Sequence, residues 1–315
     1  MRTVTNLAGE GIALPNRRND GATLSVLRIE DVPLREVSGV CLRREAGGDM
    51  ALVAFGDRTS IAAWVELPSD DAGAYVWETV DLADVKGSLI PRDDPQVEAV
   101  CADGAGRILI LQEHPPRVEL LDWEGRTVAT RIALEIPDGH PLHDSWVDAE
   151  SSQGEGAAFM RNGHILIAKE KDPPAFVEFG PKGDEPSGFG PESALKAGAR
   201  WPTDDGDRVF VPLAVWNPSV KLAANCEDFS DLEVGPDRRL YLLSDKSQSI
   251  ARISELIVGD PVARTDEVWK LPKLEGKPEG LALTRNGRAI VALDTTKAKE
   301  NLVLLEPPIA EAPAS

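Results

Sequence analysis

Three cysteines, four histidines and two tyrosines in 315 residues leave little for the commonest site chemistries. Cys41, Cys101 and Cys226 are odd in number and have no metal or redox spacing. They read as small buried side chains in a reduced compartment. Between Met1 and Asn19 no apolar stretch is long enough for a signal peptide, and nothing later is long enough to span a bilayer. A cytoplasmic protein is the expectation. No Gly-x-Ser-x-Gly elbow, Walker loop or HExxH occurs, so a serine-hydrolase reading has no local support. Positive charge is scarce: 34 Lys and Arg stand against 53 Asp and Glu, for a net charge of −19. Nucleic acid and anionic membrane both need a basic face and are not expected as partners. Such a surface aids solubility and suits cations or partners with a basic surface. No amphipathic helix of ordinary length separates the apolar segments, which argues against a parallel α/β fold.

The chain is rich, by contrast, in a recurring carboxyl residue. Four segments read Val97-Glu98-Ala99-Val100, Gly154-Glu155-Gly156-Ala157, Phe229-Ser230-Asp231-Leu232 and Pro278-Glu279-Gly280-Leu281. Fifteen residues after Glu98, Glu155, Ser230 and Glu279 stand Glu113, Glu170, Asp245 and Asp294. A fifth segment, Val37-Ser38-Gly39-Val40, reaches Asp57 after nineteen residues, across a longer turn from Glu45 to Asp49. Where Ser replaces Glu, a carboxylate sits two residues earlier, as Glu36 and Asp228. Self-similarity at this scale marks a repeat architecture.

Each repeat reads as strand, turn, strand, short loop, strand. In the second, Glu98 to Ala102 is followed by the turn Asp103-Gly104-Ala105-Gly106, then Ile108 to Leu111, Val118 to Leu121 and Val128 to Ile136. Four short antiparallel strands per unit describe a β-propeller of five or six blades. The last repeat lacks a fourth strand, and Leu24 to Val32 could supply it and close the ring. The stretch Gly180 to Glu227, with one clear strand at Val209 to Val215, could hide a sixth blade. A single propeller domain is expected over 22–306, between flexible ends at 1–21 and 307–315.

Antiparallel pairing sets the start of each first strand beside the end of the second. Glu98 then lies near Glu113, Glu155 near Glu170, Asp228 near Asp245 and Glu279 near Asp294, with Glu36 and Asp57 completing a ring at one channel mouth. So many carboxylates need a cation, backbone N–H groups or basic partners. Ca²⁺ would suit an all-oxygen site, with Glu98, Glu155 and Glu279 as ligands. Arg58, His114, Lys171 and Lys246 follow the second-strand acids, so internal salt bridges compete with that role.

Several segments resemble a known family. Glu279-Gly280-Leu281-Ala282, Ile167-Ala168-Lys169-Glu170-Lys171-Asp172-Pro173-Pro174 and Asp228-Phe229-Ser230-Asp231-Leu232 with Tyr241-Leu242-Leu243-Ser244-Asp245 are similar to repeats of the SdiA-regulated family. That family belongs with the phytase-like esterase and NHL-like propellers. The resemblance spans about Glu36 to Leu305 and implies a propeller with an acidic channel mouth able to take a metal. Asp231 stands where the family's repeat has Gly.

Two function classes follow. One is a non-catalytic binding or scaffold propeller that holds a divalent cation, small ligand or protein partner at the mouth. The other is a metal-dependent hydrolase of phosphate or carboxylic esters, of phytase-like type, in which bound metal activates water. His140-Pro141-Leu142-His143-Asp144 offers imidazoles in a loop near the same mouth, though Pro141 argues against a helix that would fix their spacing. Trp146, Trp201 and Trp216, in the longest loops, could line a pocket or pack over blade edges.

Overall fold

Short runs of aliphatic and β-branched residues, each closed by a turn, become the strands of this chain. The computed structural model describes residues 3–5, 11–13, 21–44, 50–67, 73–146 and 153–308. Most of the ends expected at 1–21 and 307–315, and the Glu45 to Asp49 turn, lie outside the described residues; Thr3–Thr5 pairs with Gly11–Ala13.

Blade one comprises Val37–Arg44, Met50–Gly56, Thr59–Glu66 and Glu78–Asp81. Blade two comprises Val97–Ala102, Arg107–Gln112, Arg117–Asp122 and Thr127–Leu134. Blade three comprises Gly154–Phe159, Ile165–Lys169, Ala175–Pro181 and Gly206–Pro218. Blade four comprises Asp231–Val234, Leu240–Ser244, Ser249–Ile253 and Thr265–Lys270. Blade five comprises Lys277–Leu283, Ala289–Asp294, Leu302–Leu305 and, from the N-terminal side, Val26–Glu30. The first strand of every blade packs on the first strands of both neighbours, in a closed order around one channel. The fold is an all-β propeller.

The ring closes as the sequence suggests. Val26–Glu30 runs antiparallel to Leu302–Leu305, with Ile29 opposite Val303. Beside this join the buried Asn301 accepts from Val32 N at 2.7 Å and donates to the carbonyls of Val32 and Leu34 at 3.2 and 2.8 Å. A buried amide with its donors and acceptor engaged keeps the two chain ends together.

Five blades, not six, are present among the described residues. Val209 to Val215 lies within the fourth strand of blade three, Gly206–Pro218, which also pairs in parallel with Thr127–Leu134 of blade two. Residues 182–205 are an insertion between the third and fourth strands of blade three. Buried Glu178 holds its start, accepting from Ser187 N and Gly188 N at 2.9 Å each and lying 2.6 Å from His164 Nδ1. Phe189 then exchanges backbone hydrogen bonds with Leu256 of blade four, at 3.0 and 2.8 Å. Further on, Trp201 is buried and its N–H donates to Asp103 of blade two at 3.0 Å. The insertion is therefore a strap across three blades.

The pairing of first and second strands is not regular. The register slips between Val97 and Ala99, Gly154 and Gly156, Pro278 and Gly280, and Val37 and Gly39. The residues skipped are Glu98, Glu155, Glu279 and Ser38, the repeat positions themselves. Each is a β-bulge, which bends the strand and re-aims the side chain it carries. The next residue is Gly in three of these blades because the neighbouring first strand comes so close. A Cβ on Gly156 would stand 2.4 Å from Leu232 N, a backbone atom that cannot swing aside. Gly156→Ala is therefore expected to destabilise the protein by about 1–3 kcal/mol, the usual cost of overpacking. Denaturant melting checks this, and an unchanged midpoint would show that the two blades can separate locally at no cost.

Candidate functional site

The bulges turn three glutamates towards one channel mouth. Glu98, Glu155 and Glu279 come from blades two, three and five and feel one another electrostatically. Burial raises Glu98, and the charges of Asp57, Glu113 and Glu279 add to it, while a side-chain hydrogen bond with Glu155 works the other way. Burial also raises Glu155, followed by Glu98, Glu170, Glu279 and Glu113. Two carboxyl groups this close in a partly desolvated channel do not both ionise cheaply, so each is pushed up towards its neutral form. Glu279 is pushed up to about 8, by burial first and then by Asp294.

The second-strand acids stand around these three. Asp57, Glu113 and Asp245 are each raised, in every case chiefly by burial. Their backbones hold neighbouring elements together: Asp57 N donates to Glu36 O at 2.9 Å, Glu113 N to Gln96 O at 3.2 Å, and Glu170 N to Gln153 O at 2.9 Å. The ring is unevenly neutralised. Arg58 lies 3.4 Å from Asp57 and 3.9 Å from Glu36. Lys171 pairs with Glu170 at 2.5 Å, and Lys277 lies 3.9 Å from Glu279 and 3.8 Å from Asp294. Among the described residues no cation forms a salt bridge with Glu98 or Glu155, although Lys171 feels the charge of Glu155.

Asp228 departs from the pattern. It is buried, and its carboxylate accepts from Ser244 Oγ at 2.5 Å and from Lys246 N at 3.2 and 3.3 Å. Its acceptor capacity goes to the turn after the second strand, and Lys246 contributes its N–H there. In place of a channel glutamate, blade four has Ser230, whose Oγ accepts from Asp245 N at 3.0 Å. The next residue, Asp231, is a buried group that the repeat pattern did not single out. Its carboxylate accepts from Leu281 N and Leu232 N, both at 2.6 Å, and so stitches blade four to blade five. Only its departure from the family's Gly marked it in the sequence.

The other sequence candidates resolve into packing. His143–Trp146 is a single helical turn that begins after Pro141. His140 Nδ1 accepts from Leu142 N at 3.2 Å, whereas His143 lies between Asp138 and Asp144 at 3.3 and 3.4 Å, so the two imidazoles do not act together. Trp146, Trp201 and Trp216 are buried; Trp146 packs on Phe179 and Trp201 on Phe159, at 5.3 and 4.9 Å between ring centres, and Trp146 also borders a cavity lined by His114, His143 and Gln153.

The carboxylate oxygens of the ring are hard donors, the type that Ca²⁺ takes. Their arrangement is another matter: among the described residues no three Asp, Glu, His or Cys side chains are gathered closely enough to hold a metal ion. The donor chemistry fits a cation, but the geometry does not form an inner-sphere cage. Among the described residues no helix is long and apolar enough to cross a membrane.

No protein-family model matches the chain, and no curated protein matches it in sequence. Solved structures do match in shape. A glutaminyl cyclase from Myxococcus xanthus aligns over 91% of this chain and 97% of its own at 11% identity, with a TM-score of 0.50. A streptogramin B lyase aligns over 90% and 97% at 14% identity and 0.42, and a virginiamycin B lyase from Staphylococcus aureus over 92% and 76% at 9% and 0.38. At these identities the first match speaks for the propeller fold alone, and the other two carry no argument.

The electrostatics of the ring make a pH dependence. Glu279 lies above its ordinary value, so the stability of its protonated form is complete below about pH 4.5 and is lost as pH rises towards about 8. Glu279→Gln removes that loss. The melting temperature of the variant relative to wild type should therefore climb steadily between those limits, and a difference that stays flat with pH would show that Glu279 ionises without strain.

Proposed function

We propose that this protein is a binding propeller whose acidic mouth captures a cationic group, and that the cation displaces protons from Glu98 and Glu155. The observation that carries this reading is the pair itself. Glu98 and Glu155 are set towards the channel by two independent bulges, half-buried there, and ringed by further carboxylates, with no salt bridge to either among the described residues. That arrangement costs stability in the free protein, and perturbed carboxylates of this kind cluster at functional sites. A compact hydrated divalent ion or a ligand ammonium group would relieve the repulsion, and either suits the oxygen donors. The resemblance to the SdiA-regulated and phytase-like propellers supports the same mouth as the binding face. A cytoplasmic location remains part of this reading.

A second reading rests on the same pair. Two carboxyl groups pushed up towards their neutral forms can also serve as general acid and base, so a metal-dependent hydrolase of phosphate or carboxylic esters would place its water near Glu155 or Glu170. The one hydroxyl–carboxylate contact described at the ring, Ser244 with Asp228, is taken up in holding the turn at Lys246, and this favours the binder.

Calorimetric titration with Ca²⁺ and, separately, with putrescine tests the proposal. Uptake of one of them should release protons, seen as a heat that varies with the ionisation enthalpy of the buffer. It should also raise the melting temperature by mass action. Glu155→Gln with Glu279→Gln should abolish uptake while making the free protein more stable. Failure of both probes to bind, or binding without proton release, would sink the proposal. Metal-dependent hydrolysis of p-nitrophenyl phosphate or acetate that falls roughly 10²-fold in Glu155→Gln, as loss of a general base would cause, would establish the hydrolase instead.

A further inference from the structure

The opposite mouth has the opposite charge. There the turns between first and second strands surround a cavity of about 670 Å³ that runs into the channel. Its walls carry Arg44 from blade one, Arg285 and Arg288 from blade five, Arg238 from blade four and Lys196 from the blade-three insertion. In a chain with 53 acidic and 34 basic residues, this gathering runs against composition.

The acids nearby neutralise it only in part: Glu192 lies 3.9 Å from Arg238 Nη1. Asp103 also lines the cavity, but its carboxylate is occupied by Arg107 Nε and Nη2 at 2.8 and 2.6 Å and by Trp201 N at 3.0 Å. Among the described residues neither Arg44 nor Arg285 forms an ion pair, and Arg285 Nη2 meets only the soft Met50 sulfur, at 3.9 Å. Arg238 is held in a left-handed backbone conformation, with φ of 60°. Its Nη2 donates to Ala194 O at 3.3 Å, and its Nε is buried without a hydrogen-bond partner. That conformation belongs to the hairpin turn, where Gly106, Gly163 and Gly287 hold the same place in blades two, three and five, so the turn itself places the arginine at the cavity.

We propose that this second mouth binds a small organic anion, a phosphate monoester or a polycarboxylate, through Arg44, Arg285 and Arg288 on one side and Arg238 and Lys196 on the other. Guanidinium forks match both oxyanion types, and several of them converging on a recess focus the local field. The volume is that of an ordinary small-molecule pocket, and the net charge of −19 repels a long polyanion before it arrives. Glu233 lies in the same cavity, and burial followed by the charge of Asp231 pushes its carboxyl up towards the neutral form. A neutral carboxyl can donate to a ligand hydroxyl, which favours a hydroxylated anion such as a sugar phosphate.

Calorimetry with glucose 6-phosphate, inorganic phosphate, citrate and uncharged glucose tests this. At least one anion should bind saturably and more weakly as salt rises, and glucose should not bind. Tighter binding of the ester than of phosphate would assign the site to a phosphorylated molecule, equal binding to free phosphate, and preference for citrate to a carboxylate ligand. Arg44→Gln and Arg285→Gln should each weaken the bound anion roughly tenfold, the loss of one charged hydrogen bond, whereas Lys273→Gln, an exposed cation outside the cavity, should not. Both cavity arginines are solvent-accessible, so an unchanged melting temperature will confirm that these variants fold. The proposal is overturned if no anion binds, or if binding is indifferent to both arginine substitutions.

Discussion

Everything in this molecule depends on how closely five first strands approach one another around the channel. The approach leaves no space for Cβ at Gly156. It also lets the Asp231 carboxylate accept the amide of a neighbouring blade at 2.6 Å. Strands that start so near a common axis cannot keep straight pairing with their second strands, and in four blades the register slips at the repeat position. Close packing and bulging are thus two expressions of one constraint, and the glutamates on the bulges are aimed by it. The acidic mouth is a consequence of the same geometry that closes the ring.

Closure itself is achieved with few specific groups. The outer strand of blade five comes from the other end of the chain, and the buried Asn301 amide fastens the join. Between blades three and four the corresponding work falls to the insertion, through Phe189 and Leu256, and to Asp231 between blades four and five. The carboxylates of blades two, three and five were left free to face the channel because other residues fasten their blades. Asp228 was not left free, and its saturation by Ser244 and Lys246 shows how an acid at nearly the same sequence position becomes a structural element.

Much of this was visible in the sequence for a physical reason. A hairpin of constant length carries its first and last acids at a constant offset, so the fifteen-residue interval reports strand pairing directly. The missing fourth strand of blade five was equally visible, because a propeller without it would expose an unpaired edge. The bulges were not visible, since in blades two, three and five the extra residue falls inside the same fifteen-residue interval and leaves it unchanged between them. The sixth blade suggested by Val209 to Val215 was an error of context: a strand parted from its hairpin by an insertion looks like the start of a new unit. The basic mouth escaped notice because Arg44, Lys196, Arg238, Arg285 and Arg288 share no repeat position. They come from a strand end, an insertion and turns, and only the closed ring brings them together.

The two mouths also differ in how their charge is maintained. At the acidic mouth burial and mutual charge push Glu98 and Glu155 up towards their neutral forms, and Lys277, Lys171 and Arg58 serve the rest of the ring. Protons are available to any carboxylate, so that mouth can be tuned by pH. Guanidinium groups do not lose their charge in the same range, so the basic mouth has no such recourse. Glu192 beside Arg238 relieves part of its charge, and a bound anion would relieve the rest. Like charges gathered at each end of one channel do not serve stability. Stability alone would favour apolar or neutral side chains at Glu98, Glu155 and Arg285, where the fold makes no evident use of the charge.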